Sequence, residues 1–158
     1  MKTALVSGSF DPVTVGHADI VARAVRLFGR VVVAVTDNSE KRYMFPLAVR
    51  AEAARACFGA RPEISVEVCT GLIADFAAER DAVLVRGARS GSDFDYERML
   101  CGINRSLSGV DSIVLPAAGE LDHISSSFVR ELIKYGRPLT GAVPAAAIRV
   151  LEAYRNRA

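Results

Sequence analysis

Five short, β-branched and almost unbroken apolar runs recur along the chain, separated by longer stretches. The runs are Ala4-Leu5-Val6, Val31 to Val35, Ile64 to Val68, Val83-Leu84-Val85 and Ile113-Val114-Leu115. Their length and continuity suit parallel strands buried on both faces. Most of the intervening stretches carry helical spacing instead. Ile20, Ala24, Leu27 and Phe28 share one face of a helix ending near Gly29, and Val49, Ala53 and Ala56 mark a second from about Leu47 to Phe58. Tyr96, Leu100, Ile103 and Leu107 trace a third stripe. Phe128, Val129, Leu132 and Ile133 trace a fourth, stopped by Gly136 and Pro138, and a last helix begins after Pro144 with Ile148, Leu151 and Tyr154. Strands alternating with helices require right-handed crossovers, so the expectation is one α/β domain over residues 1–158. Its sheet would be open, with five mainly parallel strands and flanking helices. No linker, repeat or low-complexity block interrupts it.

Composition narrows the classes of function. A chain of 158 residues, 51% hydrophobic, is long enough to bury a core, although 24 alanines inflate the apolar share. The formal charge is only +2, which predicts neither a nucleic-acid surface nor an anionic-membrane surface. That small sum hides 17 arginines against three lysines and two histidines. The apolar runs are too short to span a bilayer, and Met1 to Gly8 lacks the extended apolar region of a secretory signal. Cys57, Cys69 and Cys101 are widely spaced and form no CxxC, so reduced, packed thiols in a cytoplasmic protein are expected. No zinc site is visible.

In open parallel sheets, ligands bind beyond the carboxyl ends of the strands. Four polar or glycine-containing segments follow strands: Ser7 to His17, Asp37 to Lys41, Arg86 to Arg89, and Pro116 to Ser127. In the first, Gly8 permits a sharp turn and Asp11-Pro12 is turn chemistry. Gly16 removes a side chain beside a helix N-terminus, where free N–H groups favour phosphate. His17 stands there with a donor to aim at phosphate oxygen, neutral or protonated, or else it merely decorates the helix start. Neither G-x-G-x-x-G nor G-x-x-x-x-G-K-[ST] occurs, which removes most support for hydride transfer or a P-loop.

Gly8-Ser9-Phe10-Asp11-Pro12 followed by Thr14-Val15-Gly16-His17 resembles the (H/T)xGH signature of the nucleotidyltransferase α/β-phosphodiesterase superfamily. More narrowly, the chain resembles the bacterial phosphopantetheine adenylyltransferase family in length, order and spacing from end to end. The other matching blocks are Lys41 before Met44-Phe45, Arg86-Gly87-x-Arg89, Asp93-Phe94-Asp95-Tyr96-Glu97, and Ile124-Ser125-Ser126-Ser127. The resemblance implies a single Rossmann-like nucleotidyltransferase domain that converts ATP and 4′-phosphopantetheine to dephospho-coenzyme A and pyrophosphate. Such an in-line displacement needs alignment of two anions and stabilisation of a charged transition state, with no protein nucleophile.

By the same resemblance, His17, Lys41 and Arg89 carry the catalysis. His17 contacts the α-phosphate, and Lys41 bridges the acceptor and the reacting phosphate. Ser9, Lys41, Leu72, Ile73, Arg86 and Asn104 bind the acceptor. Ser9, Phe10, His17, Gly87, Ala88, Arg89, Glu97, Leu121, Asp122, His123, Ile124, Ser125, Ser126 and Ser127 form the ATP side. From the residues alone, Arg86 and Arg89 make a polyphosphate clamp or lie as surface arginines in a turn. Lys41 is equally a solvated loop lysine, Asn104 a helix-face asparagine, Leu72 and Ile73 core, and one of the serines a helix cap.

Mg2+ is implied with ATP, held largely by water and phosphates, because no carboxylate cage is visible. Homohexamer assembly and feedback by coenzyme A are further family expectations. Two departures stand out. Val6-Ser7 replaces an aromatic or proline step before Gly8, and Arg42-Tyr43 replaces a small or proline-containing step before Met44. Alternative readings are a related adenylyl- or cytidylyltransferase with another acceptor, or a nucleotide-binding regulatory module without turnover.

Overall fold

A computed structural model describes residues 2–157. In chain order the elements are β1 (Thr3–Gly8), α1 (Val15–Phe28), β2 (Val31–Thr36), α2 (Leu47–Phe58), β3 (Ile64–Cys69), α3 (Ile73–Ala78), β4 (Ala82–Ala88), α4 (Gly91–Ser108), β5 (Ser112–Pro116), a 3-10 turn (Gly119–Leu121), α5 (Ser126–Lys134) and α6 (Ala145–Arg155). The strands form one sheet in the order β3-β2-β1-β4-β5, and every pairing is parallel. The single α/β domain with a Rossmann-like open sheet is therefore present, all-parallel rather than mainly so.

Alternation along each central strand divides the core. Ala4, Val6, Val31, Val33 and Val85 point to a larger cluster with Ile20, Val21 and Ala24 of α1, Ala51, Ala53 and Ala54 of α2, and Val129 and Leu151 of α5 and α6. Leu5, Val32 and Leu84 point the other way, toward Ala77, with Ile73 and Phe76 of α3 packed alongside. Strand order reverses between β1 and β4, which opens a crevice beyond their carboxyl ends.

Several expectations shift. Burial on both faces holds for β1, β2 and β4, but β3 and β5 are edges and expose residues such as Val68 and Ile113. β4 runs on through Arg86, Gly87 and Ala88, so these residues lie within the strand rather than beyond it. The six-residue α3 escaped notice because Ile-Ala-Asp-Phe-Ala-Ala is too short to show a period. It turns Leu72, read from spacing as core, into an exposed residue at the helix start, while Ile73 packs inward. Leu27 and Ala56 face solvent, although their neighbours Ala24 and Ala53 are fully buried. The largest difference is α4: Tyr96, Ile103 and Leu107 are exposed, and the only buried residue of the helix is Glu97.

Candidate active site

The crevice is built from the loop between β1 and α1. Its left-handed residue is Phe10, at φ 48°, and not Gly8. That backbone is uncommon for a side chain of this size, and full burial of the ring holds it in place. The Phe10 ring packs on the His17 imidazole with centroids 4.8 Å apart. The Asp11–Pro12 peptide is cis. The buried Asp11 carboxylate accepts the Met44 and Phe45 N–H groups at 2.8 and 2.9 Å, tying this loop to the one after β2.

Thr14 caps α1, its hydroxyl accepting the His17 N–H at 3.3 Å. The reciprocal partner of such a box is normally Glu or Gln; here it is the His17 ring, whose Nδ1 accepts the Thr14 N–H at 3.0 Å. The Thr14 hydroxyl also lies 3.0 Å from Nδ1. An acceptor Nδ1 assigns the ring proton to Nε2. Burial, reinforced by the nearby Arg86 and Arg89 guanidiniums, pushes the His17 pKa down to about 4. Of the two protonation states open to the sequence, the structure selects a neutral imidazole with an Nε2–H donor. Gly16 sits beside it, and a Cβ there would reach 3.5 Å from the Thr14 hydroxyl and 4.0 Å from the Ile124 carbonyl.

Arg86 is committed more deeply than a free clamp. It donates to both Glu97 oxygens at 2.7 and 3.0 Å, and to the Ser7 carbonyl and hydroxyl at 2.7 and 2.8 Å. Four of its five N–H groups are thereby used, leaving one N–H and a largely compensated charge. Glu97, expected on the nucleotide side, is buried against that guanidinium. Ser7, one of the two departures, is what holds the inner edge of Arg86. Gly87 admits α1, since a Cβ there would come within 3.0 Å of the Ile20 side chain. Ala88 is buried, and its carbonyl accepts the Ala117 N–H at 2.8 Å. Arg89 is exposed and bonds Asp93 at 3.1 Å, an ion pair open to exchange with an incoming anion.

Across the crevice, Ser125 is the N-cap of α5 and accepts the Phe128 N–H at 3.0 Å. Ser126 donates to the Pro12 carbonyl at 2.9 Å, and Ser127 accepts from Arg130 at 3.0 Å. The Ser126 hydroxyl proton is thus committed to the backbone, whereas those of Ser125 and Ser127 are not. Arg130, not singled out from sequence, also donates to the Asp11 carbonyl at 2.7 Å. Leu121 and Asp122 close the preceding 3-10 turn, and His123 and Ile124 line an open cavity of about 380 Å³ with Phe128 and Arg137.

Arg50 was missed altogether. A fully buried guanidinium in a helix of low charge contrast carries no periodic signal, yet this one is the hub of the site. It donates to the Ser9 and Thr36 carbonyls at 2.8 Å each, to the Phe45 carbonyl at 3.0 Å, and to Asp37. Lys41 lies exposed on the loop anchored by that hub. Ser9, Phe10, His17, Arg86, Glu97 and the serines meet around the crevice. Leu72 caps the start of α3, Ile73 lies in α3 and Asn104 in α4, on the other side of the sheet from α1.

The fold and the residues of this crevice are those of a nucleotidyltransferase-type α/β domain, and a sequence profile described as Cytidylyltransferase-like matches residues 5–132. A phosphopantetheine adenylyltransferase of Porphyromonas gingivalis is 47% identical over 142 residues, covering 89% of this chain and 93% of that one. One of Kocuria rhizophila is 45% identical over 96% of this chain and 99% of its own, and one of Thiobacillus denitrificans 42% identical over 99% of each. The chain belongs to the phosphopantetheine adenylyltransferase family of cytidylyltransferase-like nucleotidyltransferases.

Proposed function

We propose that the chain transfers the adenylyl group of ATP to 4′-phosphopantetheine, a step of coenzyme A biosynthesis in the cytoplasm. A phosphate oxygen of the acceptor attacks the α-phosphorus in line, the bond to the bridging oxygen breaks, and pyrophosphate leaves with dephospho-coenzyme A as product. The observation that carries this reading is the neutral His17, held by Thr14 with its Nε2–H free at a helix N-terminus. A fixed neutral donor stabilises charge that develops on the α-phosphate and makes no strong ion pair with the ground state. Lys41 supplies a mobile positive charge to bridge acceptor and α-phosphate, and Arg89 exchanges Asp93 for the outer phosphates. Ser9, Phe10, Gly87, Ala88, Glu97 and the segment Leu121 to Ser127 frame the nucleotide. Arg86, Leu72, Ile73 and Asn104 frame the acceptor, with Arg86 offering its single spare N–H.

ATP brings the divalent ion. Among the described residues no group of three or more His, Cys, Asp or Glu could hold a metal, and Mg2+ is assigned to the nucleotide's own phosphates and water. Coenzyme A shares the pantetheine arm and adenylyl group of the product, which supports feedback at the same site. The exposed apolar face of α4 supports assembly of copies, as a homohexamer.

The test follows pyrophosphate release with ATP and Mg2+ and each acceptor in turn. Release is expected with phosphopantetheine and not with nicotinamide mononucleotide or glycerol phosphate; the reverse pattern overturns the reading. His17→Ala should lower turnover by on the order of 10²–10³ while folding normally.

A further inference from the structure

The loop carrying Lys41 is closed by a residue that belongs to no substrate contact assigned above. Tyr43 lays its ring over the Arg50 guanidinium, 3.8 Å from centroid to Cζ. Its hydroxyl accepts the Asn38 N–H at 2.9 Å. Asn38 in turn organises the loop from its other end: its side-chain carbonyl accepts the Glu40 N–H at 2.9 Å and its backbone carbonyl the Lys41 N–H at 2.9 Å. Residues 38 to 43 therefore form a small closed ring whose anchor is the buried Arg50. That same arginine holds the Ser9 carbonyl of the β1 loop and the end of β2. Lys41 itself is exposed, and a long flexible side chain on an unanchored loop would lose reach and definition on approaching an acceptor.

We propose that Tyr43 is a positioning residue: clamped between Arg50 and Asn38, it fixes the loop from which Lys41 meets the acceptor phosphate. This rests on the acceptor role given to Lys41. A stacked guanidinium and one hydrogen bond are enough to hold such a loop, and their joint loss corresponds to about tenfold. Tyr43 thus supplies through a side chain the stiffness that a proline step would supply through the backbone.

Two measurements on the full chain test it. The first needs no substrate: trypsin cleavage after Lys41 and Arg42 should quicken about tenfold in Tyr43→Leu, and less in Tyr43→Phe, which keeps the ring on Arg50. In the second, Tyr43→Leu should raise the KM for phosphopantetheine about tenfold and that for ATP less than twofold, with Tyr43→Phe recovering most of the loss. In a Lys41→Ala background, Tyr43→Leu should add almost nothing, because the effect passes through Lys41. Equal changes in both KM values, or full additivity with Lys41→Ala, would overturn the proposal. So would a cleavage rate within twofold of the parent chain. Parent chain inactive toward phosphopantetheine would instead overturn the proposed reaction, while cleavage still decides whether the clamp exists.

Discussion

At the residue scale the decisive group is His17, whose chemistry is set by its neighbours. Thr14 takes up Nδ1 and leaves Nε2 as donor, and burial beside Arg86 and Arg89 lowers the pKa from an ordinary 6.5 to about 4. In the unfolded chain the ring binds a proton near pH 6.5, but in the folded chain only near pH 4. Between these values the unfolded state holds more protons. The contribution of this group to stability is therefore complete above about pH 6.5 and is lost progressively as the pH falls through that window. NMR titration of the His17 ring should give a midpoint near pH 4 with Nε2 protonated above it. A midpoint near 6.5 would remove the neutral-donor mechanism. The (T)xGH spacing made His17 legible from sequence. Its tautomer was not, because that depends on a hydrogen bond made only once Thr14 caps the helix.

At the scale of elements, α2 matters more than its alanine-rich sequence suggests. One side chain from it, Arg50, joins the ends of β1 and β2 and the loop before the helix through three carbonyls and Asp37. Arg50→Met keeps most of the packed volume and removes those donors, leaving the buried Phe45 carbonyl and the part-buried Ser9, Thr36 and Asp37 oxygens without this partner. The expected loss is about 3 kcal/mol, measurable by urea unfolding, with Ser9 and the Lys41 loop disordered together. A change under about 0.5 kcal/mol would show that the hub is incidental. Periodicity located α1, α2, α4, α5 and α6, since each is long enough to repeat. It could not locate α3, nor which strands become edges, because strand order is not written in any local pattern. The commitments of Arg86 to Ser7 and Glu97 were hidden for the same reason: residues 7, 86 and 97 meet only after β1 and β4 pair.

At the scale of the whole molecule, α4 presents Phe94, Tyr96, Met99, Ile103 and Leu107 to solvent, and Leu72, at the start of the neighbouring α3, is also exposed. Helical spacing identified part of this stripe. Spacing alone reports that an apolar face exists, not which body covers it. Light scattering should find an assembly larger than one chain, and Ile103→Glu with Leu107→Glu should shift it to smaller species with unchanged helix content. A parent chain that is monomeric at micromolar concentration would remove the assembly from the proposal. What the sequence by itself determined was the alternation of strands and helices, one parallel α/β domain, and the short motifs whose residues act near one another along the chain. Strand order, the burial of Arg50 and Glu97, the charge state of His17 and the exposure of α4 were decided by tertiary structure. Each depends on groups distant in sequence; for Arg50, Glu97 and His17, neither desolvation nor ion pairing exists until the sheet brings them together.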